Sequence, residues 1–331
     1  MNEVRKADPK NAALTVSYVR VDAESEGQRL DNFLVRICKG VPKSHIYRIV
    51  RSGEVRIDGK RCEAATRLVT GNEIRLPPMR VATVDNSRKS AVSAAAERFQ
   101  FDVLFEDDAM LAIAKPAGLA VHGGSGLDFG VIEALRAQRP EARFLELAHR
   151  LDRETSGILL IGKKRSSLRQ LHEMFRQGMA DKRYLTLVSG HWTEKVKDVR
   201  LPLDKFLTED GERRVAVNRE EGRYAHSIFR LREAGRQFSL IEAQIKTGRT
   251  HQIRVHLSHL GFPIAADDKY GDFALNKQLA KEGLKRMFLH AWKIRFPHPV
   301  THESITLEMP LPLDLENFLG KTLPPEAKFH G

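Results

Sequence analysis

The stretch His149-Arg150-Leu151-Asp152-Arg153-Glu154-Thr155-Ser156-Gly157 runs straight into Ile158-Leu159-Leu160-Ile161-Gly162. Four aliphatic residues bounded by glycines read as a buried strand, so the charged loop before them hangs from rigid structure. No other feature constrains the fold as strongly. The strand needs cover, while its entry loop must hold Asp152 between two arginines. Opposite charges within a few ångströms favour the ionised form of a carboxylate, which makes Asp152 a candidate nucleophile or base. Read locally, the same residues also suit a surface turn in which Asp and Ser cap backbone amides.

Around this junction the pattern is mixed. Gln28 to Lys39 carries Leu30, Phe33, Leu34, Ile37 and Cys38 on one helical face. A second helix is expected after Pro42, with Ser44 near its cap, Ile46, Ile49 and Val50 inward, and Gly53 ending it. Glu54 to Ile57 alternates like a strand and meets the Asp58-Gly59 turn; Val69 to Leu76 supplies another short strand after the Gly71-Asn72 turn. Pro77-Pro78 closes this unit, and residues 79–98 lack core periodicity, as a linker does. Beyond Phe99, the runs Met110–Ile113, Gly157–Gly162, Tyr184–Val188 and Ser239–Ile245 alternate with helical segments and turns. The expectation is an α+β fold with a largely antiparallel sheet, and after Pro310 a short apolar finish with a mobile end.

The chain has 331 residues, room for about two domains. A content of 41% hydrophobic and 30% charged residues is that of a globular protein in water. MNEVRKADPK has no apolar core, and no run approaches the length of a membrane span, so neither a secretion signal nor a membrane partner is expected. With only Cys38 and Cys62, a reduced, cytoplasmic protein is the simpler expectation. The net charge of +12 points to a polyanion. Between Arg29 and Arg67, ten Lys/Arg face four Asp/Glu, so half of the excess lies in about an eighth of the chain. A solvated helix face could carry it, but a polyanion-binding module accounts for it better.

Two resemblances follow from these residues. Gly40-Val41-Pro42-Lys43-Ser44 through Gly53-Glu54-Val55-Arg56-Ile57-Asp58-Gly59 resembles the S4 RNA-binding domain, which implies Lys43, His45, Arg48 and Arg51 as phosphate contacts. His149–Gly157 matches every fixed position of H-R-L-D-x-x-T-S-G, the signature of the RsuA/RluA group of RNA pseudouridine synthases. Ala114-Lys115-Pro116-Ala117-Gly118 through Val121-His122 resembles the group's N-K-P-x-G-x-x-V-H, with Ala114 in place of Asn. Lys182 to Gly190 resembles its Y-x-A-x-V-x-G, with Thr186 in place of Ala. Lys246 to Leu257 resembles T-G-R-T-H-Q-I-R-V-H, and Leu289-His290-Ala291 the closing L-H-A. In residue terms alone, Lys115 serves equally as a surface lysine on a rigid turn and Tyr184 as a core tyrosine. His251 and His256, five apart and without H-E-x-x-H, miss the spacing of a helical zinc pair; structural or RNA-contacting roles remain for them.

The resemblance implies an S4-containing enzyme of the RluA family, with the pseudouridine synthase fold, acting on large-subunit (23S) ribosomal RNA. It implies Asp152 as the catalytic carboxylate, Tyr184 packing on the target base, and Arg254 pairing with Asp152. Arg150 would enter the space that the base vacates, and Leu289 would line the pocket. The implied organisation is an extension (1–17), an S4-like domain (18–78), the linker (79–98) and a catalytic domain (99–325). No cofactor and no metal are expected, and a monomer is the default. Asp152 could attack C1′ or remove a proton from C2′. A tRNA-modifying relative, and a non-catalytic RNA-binding or ribosome-assembly factor, are the alternatives.

Overall fold

A computed structural model describes residues 15–22, 25–38, 40–79, 99–123 and 129–323. Two compact units divide the chain, Met1–Ala91 and Val92–Gly331. Most of the expected linker, the N-terminal fourteen residues and the extreme C-terminus lie outside the described residues.

The first unit contains β1 (Ser17–Arg20), α1 (Leu30–Ile37), α2 (Lys43–Arg51), β2 (Arg56–Ile57), β3 (Lys60–Arg61) and β4 (Glu73–Leu76). The strands form one sheet in the order β1-β4-β2-β3. Both helices bury the apolar faces expected of them: Leu30, Phe33 and Leu34 meet Ile46, Ile49 and Val50 over Val55 and Ile74. Asp58 and Gly59 take positive φ (49° and 76°), which matches the twist of the β2–β3 hairpin. The start of α1 differs from the sequence expectation. α1 starts two residues later, because Arg29 bridges Arg67 in extended conformation and turns its guanidinium onto Asp31. β4 starts at Glu73, directly after the expected Gly71-Asn72 turn, in which Asn72 Oδ1 accepts the Val69 N–H at 2.7 Å and Gly71 has φ 90°. α2 opens at Lys43 after Pro42, with no side-chain cap from Ser44.

The second unit runs β5 (Val103–Glu106), β6 (Met110–Lys115), α3 (Val131–Gln138), β7 (Glu146–Leu147), β8 (Ser156–Gly162) and α4 (Arg165–Arg176). It continues with β9 (Asp181–Ser189), β10 (Val196–Val199), the hairpin β11 (Leu203–Leu207) and β12 (Arg213–Val217), β13 (Ser227–Ala234) and β14 (Phe238–Ile245). It ends with α5 (Gln252–His259), α6 (Phe273–Lys281), β15 (Leu289–Pro297), β16 (Ser304–Glu308) and α7 (Leu313–Thr322). Ten strands form one sheet, in the order β10-β13-β14-β9-β15-β8-β6-β5, with β16 beside β15 and β7 beside β8. Only the β15–β8 pairing is parallel among the strand pairs of this sheet.

The continuous apolar run of β8 is explained by cover on both faces. Leu159 and Ile161, with Leu111 and Ile113 of β6, join a cluster that includes α3, α5 and Tyr184. Ile158 and Leu160, with Met110 and Ala112, pack against Leu168, Leu171 and Met174 of α4 on the other side. The segment after Pro310 is not merely an apolar finish. It forms α7, whose Leu315 and Phe318 are buried against Leu187, Phe238 and Phe288.

Candidate active site

The loop from Ala148 to Thr155 enters the central strand β8 and is pinned along its length. At its start Ala148 N–H donates to Leu160 O (2.9 Å), and Leu160 N–H donates to His149 Nε2 (3.1 Å). His149 is therefore an acceptor; burial, then the nearby Lys182 charge, pulls its pKa down to about 3. In mid-loop the Arg153 carbonyl accepts from Gly118 N–H (2.9 Å) and from Lys115 Nζ (3.0 Å). Lys115 is no surface lysine. It is fully buried and also donates to the Pro116 and Leu119 carbonyls at 2.7 Å each. Burial pulls its pKa down to about 7 against the charges of Glu154 and Asp152.

At the end of the loop, Ser156 Oγ lies 2.9 Å from His290 Nδ1, and the parallel register sets His290 opposite Ser156 and Ala291 opposite Gly157. Gly157 has φ 121°, and a Cβ there would stand 2.3 Å from the Ala291 carbonyl oxygen, so only glycine fits. His290 thus anchors the loop rather than facing a substrate.

Asp152 itself is left open. Among the described residues no hydrogen bond reaches its carboxylate; Arg254 Nη1 lies 3.8 Å and His251 Nε2 3.9 Å from the same oxygen, Oδ2. Arg254 comes from the first turns of α5, inside the unit, and is 3% exposed. Its chief partner is not Asp152 but Asp267: Nε donates to Oδ2 at 2.7 Å and Nη2 to Oδ1 at 2.6 Å. Nη2 also donates to Asp268 at 3.1 Å. Burial works against the guanidinium, but Asp267, then Asp152 and Asp268, outweigh it and hold its pKa above the ordinary value. Burial likewise opposes the Asp267 carboxylate, and Arg254 with the Tyr270 and Lys269 N–H groups holds it below the usual range. No sequence motif points to Asp267. Its only trace in the sequence is a pair of acids, Asp267-Asp268, directly after the apolar Ile264-Ala265-Ala266.

Two cavities meet at Asp152. One, of about 380 Å³, is lined by Arg150, Asp152, Tyr184, Leu289, His251 and Arg254 among others. The second, of about 390 Å³, shares Arg150, Asp152, His251 and Arg254 and adds His122 and Lys269. Tyr184 projects from β9 next to the adjoining Ala243 and is 7% exposed. Burial, then the Asp152 charge, pushes its phenol above the ordinary value, so it stays protonated. Arg150 is exposed at the rim of both cavities, and Leu289 is buried in the wall of the first. His256 is buried with both ring nitrogens engaged, near Ser227 Oγ (3.0 Å) and Leu201 O (2.9 Å), and is structural. In the other unit, Lys43, Arg48 and Arg51 are exposed on α2 and His45 is half-buried, its Nδ1 lying 3.1 Å from Arg48 Nη2. No helix among the described residues is long and apolar enough to cross a membrane.

Comparison with known proteins agrees across the chain. Residues 109–259 match the RNA pseudouridylate synthase family, and residues 28–74 match the S4 domain. Ribosomal large subunit pseudouridine synthase C of Escherichia coli (strain K12) is 49% identical over 314 residues, covering 94% of this chain and 98% of that protein. The protein of the same name from Pasteurella multocida (strain Pm70) is 47% identical over 316 residues, covering 96% and 97%. Among solved structures, human RNA pseudouridylate synthase domain containing 4 superposes with a TM-score of 0.57 at 24% identity, over 72% of this chain and 98% of that one. That likeness speaks for the fold alone.

The Arg254–Asp267 pair carries a testable cost. Asp267→Asn would leave a buried guanidinium without its bidentate carboxylate, a loss of about 3–5 kcal/mol in stability. Because the Asp267 pKa is depressed in the folded state, its contribution is fully present above the ordinary carboxylate range and is lost as pH falls through the folded value. Denaturant unfolding of both proteins between pH 7 and pH 3 should show the gap narrowing at the acid end. An equal gap across that range would contradict the assignment.

Proposed function

Because this chain belongs to the RNA pseudouridylate synthase family, we propose that it isomerises uridines to pseudouridine in large-subunit (23S) ribosomal RNA, with Asp152 as the catalytic carboxylate. The observation that carries the residue assignment is the open Asp152 carboxylate where two cavities meet, 3.8 Å from the buried Arg254 and in one cavity with the Tyr184 ring.

The chemistry is a rearrangement. The N1–C1′ bond breaks, and its electron pair stays on uracil, spread over N1 and the carbonyl oxygens. Asp152 either bonds C1′ through a carboxylate oxygen or takes the C2′ proton to leave a glycal; both suit an ionised carboxylate shielded from water. The uracil turns, and C5 bonds to C1′ as the carboxylate departs or the C2′ proton returns. C5 then loses its proton and N1 gains one, so product and substrate have the same atoms. Glycoside hydrolysis needs two carboxylates to protonate a leaving group and activate water. Here the same base returns to the same sugar, so one suffices and no cofactor is called for.

The remaining residues have supporting parts. To reach Asp152 the uridine must leave its helix, at a cost of a few kcal/mol. Stacking on the Tyr184 ring returns about 1–3 kcal/mol. Arg150, on the rim of both cavities, has the planar cation suited to fill the vacated space. Leu289 walls the base pocket. Lys43, His45, Arg48 and Arg51 of the S4 unit meet RNA phosphates. On this reading the protein works as a monomer in the cytoplasm, where ribosomal RNA is assembled.

Tritium release from RNA carrying 5-tritiated uridine tests the reading, because joining at C5 must expel that hydrogen. Release from 23S rRNA and not from bulk tRNA is expected; release from tRNA alone would give the substrate to the other RNA class, and none from either would leave a binding factor. For the S4 contacts, replacing Lys43, Arg48 and Arg51 together by Gln should lower the slope of log affinity against log salt by about 2–3, through lost counterion release. An unchanged slope would remove them from the interface.

A further inference from the structure

His251 takes no part in the steps above, yet it is closely held beside Asp152. Its backbone is left-handed, φ 53° and ψ 19°, at the start of α5, a conformation that costs a non-glycine residue energy and persists where the surroundings enforce it. Its side chain is 15% exposed and lines both cavities. Nδ1 lies 2.7 Å from the Tyr270 hydroxyl, and that hydroxyl accepts the Val215 N–H at 3.0 Å. Nε2 lies 3.9 Å from Asp152 Oδ2, the oxygen that Arg254 Nη1 approaches to 3.8 Å.

These contacts favour one tautomer of the ring. A phenol has one proton to donate, and the Tyr270 oxygen already accepts from Val215. If Nδ1 carried the histidine proton, Tyr270 would accept from it as well as from Val215, its own proton would meet no acceptor among these contacts, and one hydrogen bond would be lost. With Nδ1 unprotonated, Tyr270 O–H donates to it and every group is used. Burial keeps the ring neutral: it lowers the His251 pKa, and the Arg254 and Lys269 charges act in the same direction against those of Asp152 and Asp267. The remaining proton then sits on Nε2, facing the carboxylate.

Resting on the catalytic assignment of Asp152, we propose that His251 is a positioning residue whose Nε2–H, fixed by the Tyr270 hydroxyl, joins Arg254 in seating Oδ2 of Asp152 and leaves Oδ1 as the oxygen that meets the ribose. At 3.9 Å the contact is open in the free protein; contacts of this kind commonly tighten when substrate fills the site. Tyr270 has a double hold on the arrangement, since its ring also packs under the Arg254 guanidinium, 5.1 Å from centroid to Cζ.

Three variants separate this role from a structural one. The Gln amide nitrogen reaches where Nε2 stands, whereas the Asn amide reaches only as far as Nδ1. Asn tolerates the left-handed backbone better than Gln. A seating role therefore ranks Gln above Asn, and a purely conformational role ranks Asn above Gln. Single-turnover isomerisation of 23S rRNA at saturating enzyme should fall about 10- to 100-fold in His251→Asn, the rate equivalent of one hydrogen bond to a charged group. His251→Gln should stay within a few-fold of wild type. Tyr270→Phe, which keeps the ring and frees the tautomer, should fall about tenfold, with RNA affinity unchanged throughout. Asn equal to or faster than Gln, a full-rate Tyr270→Phe, or losses matched by weaker RNA binding would each overturn the proposal while the wild type remains active. A wild type with no isomerisation would overturn the functional reading, and this inference with it.

Discussion

A guanidinium at 3% exposure has to be compensated, and the catalytic unit is organised around how Arg254 meets that demand. Two parallel hydrogen bonds to the fully buried Asp267 hold it as a rigid fork. The pair costs desolvation on both sides, so it is a poor source of net stability. What it supplies is a fixed positive edge. Nη1 remains free of hydrogen bonds among the described residues and points toward Asp152, which gives the carboxylate a direction without tying it down. A cation that bonded Asp152 directly would hold the carboxylate tightly and leave it less free to meet a substrate. Committing Arg254 to Asp267 avoids that.

The opposite side of the site obeys the same logic. The Asp152 loop is held by its backbone, through Lys115 on the Arg153 carbonyl and Gly118 N–H on the same atom, and by Ser156 on His290. The two strands flanking β8 thus each contribute an anchor: Lys115 ends β6, and His290 opens β15. Fixing the main chain while leaving the Asp152 side chain open allows a pocket to be accurate and still available to substrate. The close approach of β15 to Gly157 makes this possible, since any side chain there would push the strands apart.

Much of this was legible in the sequence, for identifiable reasons. The apolar run Ile158–Ile161 announced a buried strand, and the amphipathic faces of the two S4 helices gave their cores, because periodicity reports burial directly. The motif matches brought Asp152, Tyr184, Arg150, Leu289 and Arg254 to one pair of cavities. Contacts between residues distant in the chain were not legible. Lys115 on its rigid turn could as well have been a surface lysine, and its burial depends on a carbonyl 38 residues away. Asp267 sits thirteen residues beyond Arg254 with no periodic signal, and the Tyr270–His251–Asp152 chain spans three segments. α7 looks like an apolar finish in the sequence because its buried face, Leu315 and Phe318, is too short to register as a period.

In the proposed mechanism the open Asp152 carboxylate performs the chemistry, while the surrounding structure only holds and aims it. The most direct measurement is the single-turnover conversion of uridine by Asp152→Asn, taken together with its RNA affinity. The replacement keeps the shape of the side chain and removes its charge and nucleophilicity. Conversion abolished with affinity retained is the predicted result. Residual conversion at a normal rate, or a loss explained by failure to bind RNA, would contradict it.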